Sequence, residues 1–253
     1  MSDTRSRAGV GVAATAPLRL RYGTHADECI RYSPAAPDAA VIVYFDAAGW
    51  HPGAADAHGS LADRAADAGL AFAAVRTSCP SVRGLTGMVD QARRAVDWVA
   101  THPELGHAAH RVVVAGHSAG AHLAAMVAVH DPRPCGYVLV SGIYDLGHPG
   151  CAAHQHEMGV ADDDVASLSP LTLIGPSDAA CVVAWADGDT PEVRRQGQAW
   201  ATRWTMSHWN RSAVPVHVAD RDHVDVTCDL FDTDAPLGAA VRSILDRRSL
   251  DEL

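Results

Sequence analysis

The stretch Arg111-Val112-Val113-Val114-Ala115-Gly116-His117-Ser118-Ala119-Gly120-Ala121-His122-Leu123-Ala124-Ala125-Met126 changes character halfway along. Its first part is a short, unbroken apolar run of the kind that forms a strand buried on both faces. Its second part, from Ala119 to His130, reads as a helix. Between them lies Gly116-His117-Ser118-Ala119-Gly120, a G-x-S-x-G sequence bracketed by strand and helix. In that setting the chain turns sharply, so the serine hydroxyl stands exposed above the start of a helix. Glycine suits the flanking positions because a Cβ there would press on the neighbouring strand or helix. Ser118 is therefore the candidate nucleophile.

Outward from this turn, short apolar runs alternate with segments of helical pattern. The strand candidates are residues 41–45, 70–75, 111–115, 136–141, 181–186 and 214–219, with 18–22 and 29–32 as edge strands. Helix candidates cover 55–68, 88–102, 119–130, 191–209 and 236–247. Pro191 suits a first helical position and Thr190 a cap. Such alternation predicts an α/β fold with a mostly parallel sheet and helices on both faces, in a single domain over 1–253. Residues 145–180 interrupt the rhythm with several Gly and Pro and the acidic triplet Asp162-Asp163-Asp164. They are expected to form a small cap-like insertion over the strand ends.

A serine nucleophile needs a base, and the base an orienting carboxylate, each following a later strand in this architecture. After 181–186 comes Asp187-Gly188-Asp189-Thr190-Pro191-Glu192; after 214–219 comes Asp220-Arg221-Asp222-His223. The expected set is Ser118, His223 as general base and Asp189 as its orienting acid. Asp187 is read as a turn carboxylate, His217 as a residue packed in the sheet, and His117 as a shaping residue beside the nucleophile. An oxyanion hole would take one N–H from Ala119 and a second from Ala47 or Ala48, in the loop after the strand at 41–45.

At these residues the chain resembles the kynurenine formamidase (arylformamidase) branch of the α/β hydrolases, from about Leu20 to Leu245. The likeness rests on four segments: the elbow and helix Gly116 to Met126; Val140-Ser141-Gly142-Ile143-Tyr144-Asp145-Leu146; Gly188-Asp189-Thr190-Pro191-Glu192 with Arg195-Gln196; and Asp222-His223. It implies the α/β-hydrolase fold, the triad Ser118, Asp189 and His223, and no metal or organic cofactor. One departure is clear. Where that family carries H-G-G-x-W, this chain has Asp46-Ala47-Ala48-Gly49-Trp50. Alanine keeps an N–H but lacks the φ > 0 freedom of glycine, and a carboxylate replaces histidine beside a site that must hold negative charge. Three readings follow: hydrolysis of an aryl formamide such as N-formylkynurenine; a carboxylesterase, lactonase or deacylase acting on an aromatic or secondary-metabolite ester; or a non-hydrolytic protein on this scaffold. Trp50 and Tyr144 are expected to line the substrate pocket.

Bulk properties narrow the partners. The 253 residues carry a formal charge of −10, and no Lys/Arg run offsets it locally. Nucleic acid and membrane surfaces are therefore poor partners, and a small-molecule substrate fits better; a homodimer is left open. Arg5 and Arg7 precede a stretch, 8–16, that is too weakly hydrophobic for a secretion signal, so the chain is read as cytoplasmic. Cys29, Cys79, Cys135, Cys151, Cys181 and Cys228 lie far apart and read as reduced thiols. His148, His154 and His156 with Cys151 lack a metal-site spacing and read as loop residues.

Overall fold

A computed structural model describes residues 16–36, 38–46, 59–102, 105, 111–176, 179–207 and 213–246. Eight strands form one sheet: β1 Leu18–Arg21, β2 Cys29–Ser33, β3 Val41–Asp46, β4 Ala71–Arg76, β5 Val112–His117, β6 Gly136–Val140, β7 Ala180–Ala186 and β8 Ala213–Val218. Their order is β1-β2-β4-β3-β5-β6-β7-β8. β2 pairs antiparallel with both β1 and β4, while the pairs from β4 through to β8 are parallel. The helices are α1 Gly59–Asp67, α2 Pro80–Thr101, α3 Ala119–Ala128, α4 Ala152–Met158, α5 Pro170–Leu173, α6 Pro191–Ser207 and α7 Pro236–Asp246.

The apolar strands are explained by burial on both faces. Along β5, Val112 and Val114 join the core beneath α2, α3 and α6, whereas Val113 and Ala115 join a second core beneath α1 and α7. Helix α3 is buried along its whole length, which is why its sequence is apolar all round. From β3 the chain winds to β4 on one side, and from β5 to β6 on the other. Crevices at the carboxyl ends of strands open at such a reversal, which places the Ser118 turn at the natural ligand position of the sheet.

Two expectations change in detail. Helix α2 starts at Pro80, eight residues before the predicted start at 88, because Pro80 opens a first turn and Gly84 (φ 64°) then absorbs a kink that reads in sequence as a break. Residues 145–180 fold into α4, α5 and two 3₁₀ turns, Pro149–Cys151 and Asp162–Asp164. Leu146, Cys151, Met158, Leu168 and Ile174 from this segment lie in the core on the α2–α3–α6 face. Much of the segment is thus the crossover that parallel strands β6 and β7 require, packed beside the sheet. Among the described residues no helix is long and apolar enough to cross a membrane.

Candidate active site

Ser118 sits between β5 and α3 with φ 53° and ψ −120°, a strained conformation for a residue with a side chain. Close packing enforces it. A Cβ on Gly116 would lie 2.2 Å from the carbonyl oxygen of Gly120, so only glycine lets the helix fold back this tightly. The Ser118 N–H donates to the Val140 carbonyl (2.9 Å), tying the turn to the end of β6. Ser118 Oγ lies 3.0 Å from His223 Nε2, and His223 Nδ1 lies 2.5 Å from Asp189 Oδ1. A carboxylate only accepts, so Nδ1 carries the imidazole proton and Nε2 is left to accept from the serine hydroxyl.

Asp189 is held from every side. Its side chain is fully buried, and Oδ2 accepts from Ser141 Oγ (2.6 Å) and from the Ala186 N–H (2.7 Å). Burial by itself would raise its pKa. The hydrogen bonds from His223, Ser141 and Ala186 outweigh that and keep the carboxyl below its ordinary value.

The acid loop is also joined to the histidine loop. Gly188 N–H donates to the Arg221 carbonyl (2.9 Å), and a Cβ on Gly188 would come within 2.8 Å of Asp222 Cα. Asp187 accepts from the Asp220 N–H (3.1 Å) and lies 2.6 Å from His217 Nε2. It is thus a turn residue, as expected. His217 differs from its sequence reading: the outer face of edge strand β8 leaves its side chain 52% exposed, paired with Asp187. His117 is a shaping residue in a literal sense. Its Nε2–H donates to the His223 carbonyl (2.6 Å), and the two rings lie 4.8 Å apart.

The remaining site expectations divide. Ala119 is the first residue of α3, so its N–H is one of the helix-start donors that have no intrahelical partner. β3 ends at Asp46 in register with His117, but Ala47, Ala48 and Trp50 lie outside the described residues. Tyr144, expected on the pocket wall, is instead a core residue. It is fully buried with its ring 4.9 Å from Trp200, because the aromatic cluster of α6 offers it an apolar seat.

Two residues of the acid-loop segment to which no role was assigned from sequence make further contacts. Buried Gln196 accepts from the N–H groups of Tyr144 (2.5 Å) and Asp145 (2.7 Å) and donates to the Asp145 carbonyl (3.1 Å) and to Cys151 Sγ (2.9 Å). It thereby pins the chain leaving β6 to α6. Glu192, bonded by Arg195, is held down to about 2 and lies 3.0 Å from His148 Nδ1. Among the described residues no three His, Cys, Asp or Glu side chains converge as a metal site.

The chain is similar to known proteins in sequence and in fold. A family model described as BD-FAE matches residues 32–134, which include the Ser118 turn. The kynurenine formamidase of Danio rerio is 35% identical over 181 residues, covering 66% of this chain and 60% of that protein's length. That of Salmo salar is 29% identical over 210 residues, covering 78% and 70%. Among solved structures, the metagenomic carboxylesterase EstE1 superposes with a TM-score of 0.70 at 21% identity, covering 93% of this chain and 91% of that one. Esterase 2 of Thermogutta terrifontis gives 0.70 at 19%, covering 93% of each.

Proposed function

We propose that this chain, a kynurenine formamidase-like member of the α/β-hydrolase superfamily, is a serine hydrolase that cleaves an aryl formamide such as N-formylkynurenine. The observation that carries the serine chemistry is the line Ser118 Oγ, His223 Nε2, His223 Nδ1, Asp189 Oδ1, with gaps of 3.0 and 2.5 Å. Sequence similarity to two kynurenine formamidases supports the choice of substrate.

In this reading Ser118 Oγ attacks the formyl carbon while its proton passes to His223 Nε2. The carbonyl oxygen becomes an oxyanion facing the Ala119 N–H, with Ala47 or Ala48 proposed as second donor. The C–N bond then breaks as His223 returns the proton to the aryl amine, leaving a formyl ester on Ser118. Water, deprotonated by His223, attacks that ester; the bond from the formyl carbon to Ser118 Oγ breaks, His223 returns the proton to Oγ, and formate leaves. Asp189 holds the imidazole tautomer through both halves and stabilises the imidazolium.

A second reading is a carboxylesterase, lactonase or deacylase acting on an aromatic or secondary-metabolite ester. It is favoured by one observation, the Asp46-Ala47-Ala48-Gly49-Trp50 sequence where that family has H-G-G-x-W. The two differ in leaving group, so kcat/KM for N-formylkynurenine beside p-nitrophenyl acetate separates them. Preference for the formamide, lost in Ser118→Ala, is the expected result. Turnover of the ester alone replaces the first reading with the second, and activity that survives Ser118→Ala overturns both.

A further inference from the structure

Among the described residues, three other than glycine have positive φ: Ser118 (53°), Ser141 (51°) and Asp220 (57°), each following the carboxyl end of a strand, β5, β6 and β8. Strain of this kind persists only where its surroundings over-determine it, and it concentrates at working sites. The strain at Ser118 belongs to the nucleophile turn. That at Ser141 has no part in the chemistry described so far.

Ser141 terminates the all-buried strand β6 and is itself 1% exposed. Its N–H donates to the Ala184 carbonyl (2.8 Å), and the preceding residue, Val140, accepts the Ser118 N–H. The backbone is thus fixed on both sides, by β7 and by the nucleophile turn. In that fixed position a φ of 51° leaves the hydroxyl 2.6 Å from Asp189 Oδ2. A serine placed there for packing alone would need neither the strain nor a buried hydroxyl.

We infer that Ser141 is a positioning residue for the acid: its hydroxyl, delivered by a strained strand end, holds the Asp189 carboxylate in the orientation that His223 requires. This rests on the triad proposed above. Oδ2 has two donors, Ser141 Oγ–H and Ala186 N–H, and Oδ1 faces His223, so the carboxylate is locked in rotation as well as in place. With the hydroxyl removed, one donor on Oδ2 remains, and the carboxyl group is free to turn and holds a proton more readily. Among the described residues, Asp189 faces His223 and the buried Tyr144, and His223 in turn lies beside Asp222 and the His117 ring. The change is felt in the Asp189–His223 hydrogen bond.

The test separates hydroxyl from strain. Ser141→Ala removes the hydroxyl and keeps the strain; Ser141→Gly removes both, since glycine accepts φ > 0. Both variants are compared with native protein and Ser118→Ala on p-nitrophenyl acetate across pH. The low-field proton resonance of the Asp189–His223 hydrogen bond is followed by NMR without substrate. Expected for both variants is a loss of about tenfold in kcat with KM little changed, a displaced acid limb of the pH profile, and a shifted low-field resonance. Ser141→Gly should melt at or above the temperature of Ser141→Ala. A resonance at its native position in both variants overturns the inference, as does a glycine variant of native activity or a rate loss uniform across pH. Survival of activity in Ser118→Ala instead removes the triad on which the inference stands, and is read independently of the Ser141 variants.

Discussion

Replacing Asp189 by asparagine, nearly the same size and shape, should be among the most damaging single changes to turnover and among the mildest to the fold. The reason lies in the hydrogen-bond directions. Oδ2 receives two donors, from Ser141 Oγ and the Ala186 N–H, and the backbone N–H can only donate. An amide nitrogen placed there would oppose it, so the amide oxygen must take the Oδ2 position. The NH₂ group then faces His223 Nδ1, where the carboxylate now lies 2.5 Å away. Nδ1 must become an acceptor, which puts the imidazole proton on Nε2, pointing at Ser118 Oγ. A base in that tautomer cannot take the serine proton. A wrong tautomer at a serine–histidine pair costs about 10⁴ in kcat, equivalent to roughly 5.5 kcal/mol of barrier. KM should stay within a few-fold of native. The assay is steady-state turnover of p-nitrophenyl acetate by Asp189→Asn beside Asp187→Asn, whose exposed carboxylate serves the loop junction and should leave the rate near native. Asp189→Asn within tenfold of native, or the larger loss falling on Asp187→Asn, would refute the assignment of the acid and the tautomer argument together.

Three other outcomes follow from the same contacts. His117→Ala deletes the ring nitrogen that holds the His223 carbonyl and should lower kcat by about tenfold with KM little affected; an unchanged kcat would mean that the histidine loop is fixed elsewhere. Gln196→Leu orphans the N–H groups of Tyr144 and Asp145, costing roughly 3 kcal/mol and lowering Tm by about 6–12 °C in calorimetry. His122, fully buried in α3, is pushed down from 6.5 to about 4, chiefly by desolvation and against its bond to the Ile143 carbonyl. Below pH 6.5 the unfolded chain binds a proton that the folded one refuses, so stability should fall as pH drops from 6.5 toward 4. Between pH 7 and 4.5 this amounts to roughly 2–3 kcal/mol by urea unfolding, and His122→Gln should remove that part of the pH dependence.

Much of this molecule was legible from local order alone. Strands buried on both faces must be apolar, so β3 to β7 announce themselves as unbroken runs. The turn at Ser118 needs glycine where a side chain would strike backbone, so its position shows in Gly116 to Gly120. The carboxylate and histidine follow their strands in a set chain order, which singled out Asp189 and His223 across more than thirty residues. Tertiary structure decided what depends on groups from different strands meeting. Sequence also offered a second carboxylate, Asp187, two residues before Asp189, and it is the packing of β7 against β6 and β8 that sends Asp189 to His223 and Asp187 to His217. Ser141 and Gln196 look like ordinary polar residues until folding buries them, because burial is what turns a hydroxyl or an amide into an obligatory partner. Tyr144 was misplaced for the converse reason: nearness in sequence to a strand end does not say which way a ring turns, and the aromatic face of α6 drew it into the core.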